Sequence, residues 1–137
     1  MLQLETMKPI LLTGVSGVGK TSLITLLQEK YDKIIKVITY TTRNLRAGEK
    51  DGIQYHFITT GKYLNLERKN QFLDSREIFA NFYGIRGTDI ERIINKGLMP
   101  LIVVDIKGAI EIMNRMDCIS FLITVKETAE LKKRLIK

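Results

Sequence analysis

Two stretches carry residues whose types and spacing could do chemistry. The first is GVSGVGKT, residues 14–21: Gly14, then Val15, Ser16, Gly17 and Val18, then Gly19, Lys20 and Thr21. It fits the P-loop pattern G-x-x-x-x-G-K-[ST] and stands between the apolar run PILLT and the helical stretch KTSLITLLQEKY, the context that pattern needs. The glycines let backbone N–H groups turn inward around a phosphate, and the helix N-terminus adds partial positive charge. Lys20 then reaches the β/γ-phosphates, and the Thr21 hydroxyl holds Mg²⁺. A second fragment, LIVVD, closes an apolar run on Asp105, where a Walker-B carboxylate would approach the metal, partly through water. Alone, an acid ending a strand is more often the N-cap of the next helix. Beside a P-loop, the metal reading takes precedence, so the sequence predicts binding of ATP with Mg²⁺.

The second stretch is TYTTRNLRAGEKDGIQYHF, residues 39–57, with Arg43, Arg46, Glu49 and Tyr55. Arginine forks offer paired donors in fixed geometry and never deprotonate, which suits phosphate oxygens. A tyrosine hydroxyl adds a further donor. With Tyr83 from NFYG, these residues would form a monophosphate cradle separate from the P-loop. A solvated loop with incidental arginines is the plain alternative.

Such side chains need a scaffold. The chain of 137 residues is long enough for one domain with a real core, and its 45% apolar and 27% charged residues are those of a globular protein. No apolar run approaches membrane-spanning length, and the N-terminus lacks a basic, cleavable leader, so the expectation is a cytoplasmic protein with no membrane partner. The single cysteine, Cys118, agrees with a reducing compartment. A formal charge of +7 favours anionic ligands; two phosphorylated substrates give it sufficient cause, and nucleic acid is not required.

KPILLTG, MPLIVVDI and CISFLITV read as strands buried on both faces, the first two opened by Pro9 and Pro100. Leu23, Leu26, Leu27 and Tyr31 give one helix its inward stripe. TDIERIINKG reads as another, opened by a capping box (Thr88, Glu91) and closed by Gly97; the tail KETAELKKRLIK also reads helical. Residues 37–84 break the rhythm with short strands and one helix. The predicted fold is α/β: a P-loop-type parallel sheet with helices on both faces (1–36 and 85–137) and an inserted β-rich unit (about 37–84). His56 has no companion metal ligands, Cys118 reads as a small core residue, and ERKNQ (67–71) and KKR (132–134) read as solvated helix faces.

GVSGVGKTSL, TYTTRNLRAGEKDGIQYHF, FLDSREIFANFYG and VVDIKGA, in this order, resemble the guanylate kinase family from about residue 8 to the end. The resemblance implies an inserted GMP-binding unit, a mobile lid, and transfer of the γ-phosphoryl of MgATP to GMP. Carried over by motif, Arg43, Arg46, Tyr55 and Tyr83 would hold the GMP phosphate, Thr39 and Asp74 would read the guanine, and Glu49 would brace the site. Gly14 to Thr21 and Arg134 would serve ATP. Lys20, Arg43 and Asp105 would carry catalysis, with Thr21 and Asp105 at Mg²⁺.

The departures from the family pattern concern the base pocket and the end of the chain. The guanine-reading acid is the shorter Asp74, followed by Ser75 where an aromatic is common. Ile85 replaces a hydroxyl residue, and Val103 replaces the first acid of a D-x-D pair. A lost buried hydrogen bond costs about 1–3 kcal/mol of base discrimination. The chain stops at ELKKRLIK, where the family continues through an arginine-bearing lid, a last strand and a final helix. The expectation is therefore a shortened member, with an exposed sheet edge open to self-association. Two further readings stay open: a module that binds nucleotide or protein without turnover, against which the intact Lys20 counts, and a P-loop kinase of a related phosphorylated acceptor.

Overall fold

A computed structural model describes residues 7–15 and 19–124. The elements in chain order are β1 (Ile10–Gly14), α1 (Lys20–Lys30), β2 (Ile34–Lys36), β3 (Tyr40–Thr41), β4 (His56–Phe57), α2 (Thr60–Arg68), β5 (Phe72–Ile78), β6 (Asn81–Arg86), α3 (Gly87–Asn95), β7 (Met99–Val103), α4 (Ile106–Arg115) and β8 (Ile119–Ile123). They divide into two compact units, Met1–Lys36 with Ile93–Lys137, and Val37–Arg92. By these contacts the second unit runs on to Arg92, taking in β6 and most of α3. Among the described residues no helix is long and apolar enough to cross a membrane.

The first unit is built on a four-stranded sheet in the order β2-β7-β1-β8, every pair parallel. This is the α/β sheet that the continuous apolar runs predict. Leu12, Ile24 and Leu101 form a buried cluster, with Ile10, Leu23, Leu27, Ile34, Val103 and Ile123 packed around it. Three sequence expectations need correction here. The inward face of α1 is Leu23, Ile24 and Leu27, while Leu26 and Tyr31 lie in solvent. A stripe at i, i+3, i+4, i+8 is too long for one strip of sheet, and Ile24 takes the central place. β8 is not buried on both faces: among the described strands it pairs only with β1, and Ile119, Phe121 and Leu122 are exposed. Pro100 is the second residue of β7, fully buried between β2 and β1, rather than the strand's opening residue.

α3 follows β6 without a break, so Thr88 lies within the helix and not at its N-cap. Gly97 does close it, with Gly97 N–H donating to Ile94 and Leu98 N–H to Ile93, the paired bonds of a Schellman ending. The tail KETAELKKRLIK lies outside the described residues.

The second unit holds a sheet in the order β4-β3-β6-β5. β3 and β4 run parallel, joined by the arginine-bearing loop, whereas β3–β6 and β5–β6 are antiparallel. One face is aromatic. Tyr63 of α2 is fully buried and stacks on Phe72 at 4.5 Å and on Phe82 at 5.2 Å. That approach requires a glycine beneath the ring: a Cβ at Gly84 would lie 2.7 Å from the Tyr63 hydroxyl and from the Phe72 ring. Burial pushes the Tyr63 hydroxyl up to about 12, against a hydrogen bond with Ser75 that lowers it. Ser75 Oγ in turn donates to Glu67 Oε1 at 2.8 Å. Glu67 is thus tied across to β5 rather than standing on a merely solvated face.

β5 and β6 meet in a two-residue turn, Phe79 and Ala80, with Ile78 paired to Asn81. Both turn residues are left-handed, at φ 49° and 66°. This is the primed turn that matches strand twist, but it prefers Asn and Gly because a Cβ clashes there. Ala80→Gly relieves the clash at some cost in unfolded-state entropy and should raise stability by about 1 kcal/mol. Urea denaturation of the two chains measures it, and an unchanged or lower midpoint contradicts the assignment of strain.

Candidate functional site

In the first unit, β1 delivers the chain at Gly14 and α1 leaves at Lys20. Gly19 is the N-cap of α1 at φ 95° and ψ 21°, a left-handed conformation in which a side chain is strained, and no side chain caps the helix. The first-turn N–H groups of α1 therefore point from a helix end without a side-chain cap, the local arrangement that favours an anion. Lys20 Nζ donates to the carbonyl of Gly14 at 2.7 Å, so the ammonium is folded back to the end of β1. Thr21 is exposed on the first turn. Val15 is exposed just after β1, and Ser16, Gly17 and Val18 lie outside the described residues.

Asp105 lies beyond the end of β7 at Val103, and its Oδ1 accepts from Gly108 N–H at 2.8 Å as the N-cap of α4. The capping role, the plainer of the two sequence readings, is thus present. Thr21 and Asp105 offer a hydroxyl and a carboxylate, hard oxygen donors of the kind Mg²⁺ takes. Among the described residues no three His, Cys, Asp or Glu side chains form a metal cage. A two-oxygen donor set fits an ion that keeps several waters and shares its shell with phosphate.

In the second unit, the loop from β3 to β4 is organised around one ion pair. Arg43 Nη1 and Nη2 donate to the two oxygens of Glu49, each at 2.9 Å. Glu49 Oε1 also accepts from Arg46 N–H at 2.8 Å, closing a turn with Glu49 N–H on the Arg46 carbonyl. The backbone under Arg43 is equally fixed. Arg43 N–H donates to Thr41 Oγ1 at 3.1 Å, and that hydroxyl, fully buried, donates to the Phe82 carbonyl at 2.9 Å. The guanidinium carbon lies 5.1 Å from the Tyr55 ring centre and 5.6 Å from that of Phe57. Of five guanidinium donors, these bonds and one to the Asn44 carbonyl use three among the described residues; Nε–H and one Nη2 hydrogen are outside that set. The Arg46 side chain is exposed on the same loop.

Tyr55 packs edge-on against Tyr83 at 5.9 Å. Tyr83 pairs across the sheet with Thr41 on one side and Arg76 on the other. Asp74 lies opposite Ile85, and a register shift between Phe72 and Asp74 leaves Leu73 as a bulge. The bulge matters: without it Phe72 and Asp74 would share a face. With it, Phe72 turns to the aromatic face and Asp74 to the face of Tyr83. Asp74 is there tied to Arg76, Oδ1 to Nε at 3.2 Å, with side chains 11% and 21% exposed. Arg43, Glu49, Tyr55, Tyr83, Arg76 and Asp74 thus belong to one sheet face. Thr39 precedes β3, and its carbonyl accepts from His56 N–H at 2.9 Å. The His56 ring packs on Tyr40 at 4.6 Å.

The family model described as "Guanylate kinase" matches residues 6–137. This chain belongs to the guanylate kinase family. It is 35% identical over 129 residues to the guanylate kinase of Clostridium perfringens strain 13, covering 93% of this chain and 60% of that protein. It is 40% identical over 128 residues to the guanylate kinase of Shewanella frigidimarina, covering 91% of this chain and 61% of the relative. The crystal structure of guanylate kinase from Anaplasma phagocytophilum superposes with a TM-score of 0.71 at 29% identity, over 94% of this chain and 66% of that one. The chain thus spans about 60% of the length of the relatives it matches.

Within this guanylate kinase fold, the second unit brings Arg43, Glu49, Tyr55, Tyr83 and Asp74 to a common face, with Arg46 at its rim. Arg134 lies outside the described residues. Three contributors escaped the sequence reading. Thr41, which anchors Arg43, looked like one more strand-forming threonine. The Ser75–Glu67 link crosses from strand to helix. Arg76 was legible in principle, because residues two apart on a strand share a face. Cys118 is partly buried, and burial pushes its thiol up, away from the thiolate that a nucleophile needs.

The clamp sets a pH dependence. Arg43 holds the Glu49 carboxyl down to about 2, from an ordinary 4.5, and Glu49 raises Arg43 in return. Because the folded value is depressed, the stabilisation is whole above about pH 4.5 and is lost as pH falls through about 2. Carboxyl carbon NMR should find Glu49 titrating well below the other glutamates. An Arg43→Ala chain should return it to the ordinary range. A Glu49 midpoint near 4.5 in the parent chain contradicts the clamp.

Proposed function

We propose that this chain is a guanylate kinase, transferring the γ-phosphoryl group of ATP to the 5′-phosphate of GMP. The observation that carries the reading is the Arg43–Glu49 clamp on the face of Tyr55 and Tyr83, a preset fork for a monophosphate in a chain that also has a P-loop. Lys20 and the loop amides bind the β- and γ-phosphates. Arg43, Arg46, Tyr55 and Tyr83 bind the acceptor phosphate, while Thr39 and Asp74 read guanine. A GMP phosphate oxygen forms the new bond to the γ-phosphorus, and the bond to the bridging oxygen of ADP breaks. Such a transfer needs position and charge neutralisation more than covalent help. Lys20 and Arg43 supply fixed positive charge where negative charge spreads over the transferring group. Thr21 and Asp105 would hold Mg²⁺, partly through water, and the ion would supply further charge neutralisation on the ATP phosphates.

Cytoplasmic location, and self-association through β8, which among the described strands pairs on one side and exposes Phe121 and Leu122, belong to the same reading. Sedimentation across a concentration range tests the latter; a monomer at every concentration removes it. The kinase reading is tested by GMP-dependent ADP release. Turnover should require GMP over AMP. Lys20→Ala should lower kcat by a factor of about 10³, and Arg43→Ala should raise the KM for GMP as well as lower kcat. ADP release with another acceptor and none with GMP overturns the assignment.

A further inference from the structure

A carboxylate reads half of guanine. It accepts from N1–H and the exocyclic amine, and leaves the acceptors O6 and N7 on the rest of the edge to other donors. At Ile85, whose place the family resemblance would give to a hydroxyl, the side chain is 2% exposed and has no donor to give. The cationic side chain beside Asp74 is Arg76, two residues on along β5 and so on the same face, held at 3.2 Å. The two side chains, at 11% and 21% exposure, are packed rather than extended into water.

We propose that Arg76 is a second reader of the acceptor base, donating as a fork to guanine O6 and N7 while Asp74 accepts from N1–H and the exocyclic amine. This rests on the guanylate kinase reading above. An acid and an arginine side by side present acceptors, then donors, in the order complementary to guanine's donors, then acceptors. Arginine to O6 and N7 is the commonest specific contact to this base because the spacing of its N–H groups matches that of the two acceptors. Adenine puts an amine against the fork and a bare ring nitrogen against the carboxylate, so it is mismatched at both. The pairing also offsets the carboxylate charge beside a ligand that brings its own phosphate.

The test is a cycle between protein and ligand, read by calorimetric binding to the full chain. The probes are GMP and 7-deaza-GMP, which differ only in the N7 acceptor. The parent chain should bind 7-deaza-GMP about tenfold more weakly than GMP. Arg76→Ala should lose about tenfold on GMP and hold the two ligands within about twofold of each other. Arg76→Lys, which keeps the charge but not the fork, should also lose the discrimination; if the alanine chain does not fold, this variant carries the cycle. Equal binding of GMP by parent and variant overturns the inference alone. So does a variant that binds GMP weakly yet keeps the full 7-deaza penalty, since Arg76 would then serve the phosphate or act through Asp74. A parent chain without that penalty overturns it too. A folded parent chain that binds no GMP overturns the kinase reading, and this inference with it.

Discussion

A guanidinium on a flexible stem is a poor phosphate ligand until something fixes its direction, and in this protein that something is Glu49. Both carboxylate oxygens are committed to Arg43, and one of them also holds the Arg46 amide. The loop between β3 and β4 is shaped by this pair as a helix is shaped by its ladder. Beneath it, Thr41 joins the Arg43 amide to the Phe82 carbonyl, so the arginine is fixed at its backbone and at its tip. The entropy of ordering Arg43 is met during folding and not when a ligand arrives. The remaining polar face of the second unit, from Tyr55 to Asp74, is arranged outward from that fixed point.

The other face of the same sheet is what allows the polar one to be polar. Tyr63, Phe72 and Phe82 form an aromatic layer whose closeness depends on Gly84 lacking a side chain. Stacked rings bury much area per residue, so this layer supplies a large part of the hold on a thin two-faced sheet. The Leu73 bulge is the switch between the two faces, giving Phe72 to the core and Asp74 to the site.

Legibility in the sequence varied with the kind of signal. The P-loop, the parallel sheet and the arginine loop were readable because each rests on local residue types: glycines before Lys20, unbroken apolar runs, a fixed spacing from Arg43 to Tyr55. What failed depended on neighbours that no local pattern specifies. CISFLITV is as apolar as MPLIVVDI, yet among the described strands only the latter is flanked on both sides. Leu26 and Ile24 are similarly hydrophobic, and which is buried depends on the face that α1 turns to the sheet. Asp105 could be a cap or a metal neighbour from sequence, and the cap is visible because α4 begins directly after it. Arg76 is marked in sequence only by its spacing from Asp74, since a strand places alternate residues side by side.

The parallel pairing of β2 with β7 has a consequence for the order of events in folding. Ile34 pairs with Met99, so the frame of the first sheet closes only after the chain has gone out through Val37–Arg92 and returned. As a slack loop, that excursion would delay closure, since long-range pairing must meet the entropy of bringing distant ends together. The excursion is instead a compact unit whose hairpin, β5 to β6, is joined by the shortest practical turn. Nucleating at that local hairpin and condensing around Tyr63 shortens the effective tether between β2 and β7. The route this topology favours is one in which the interruption assembles before the frame it interrupts.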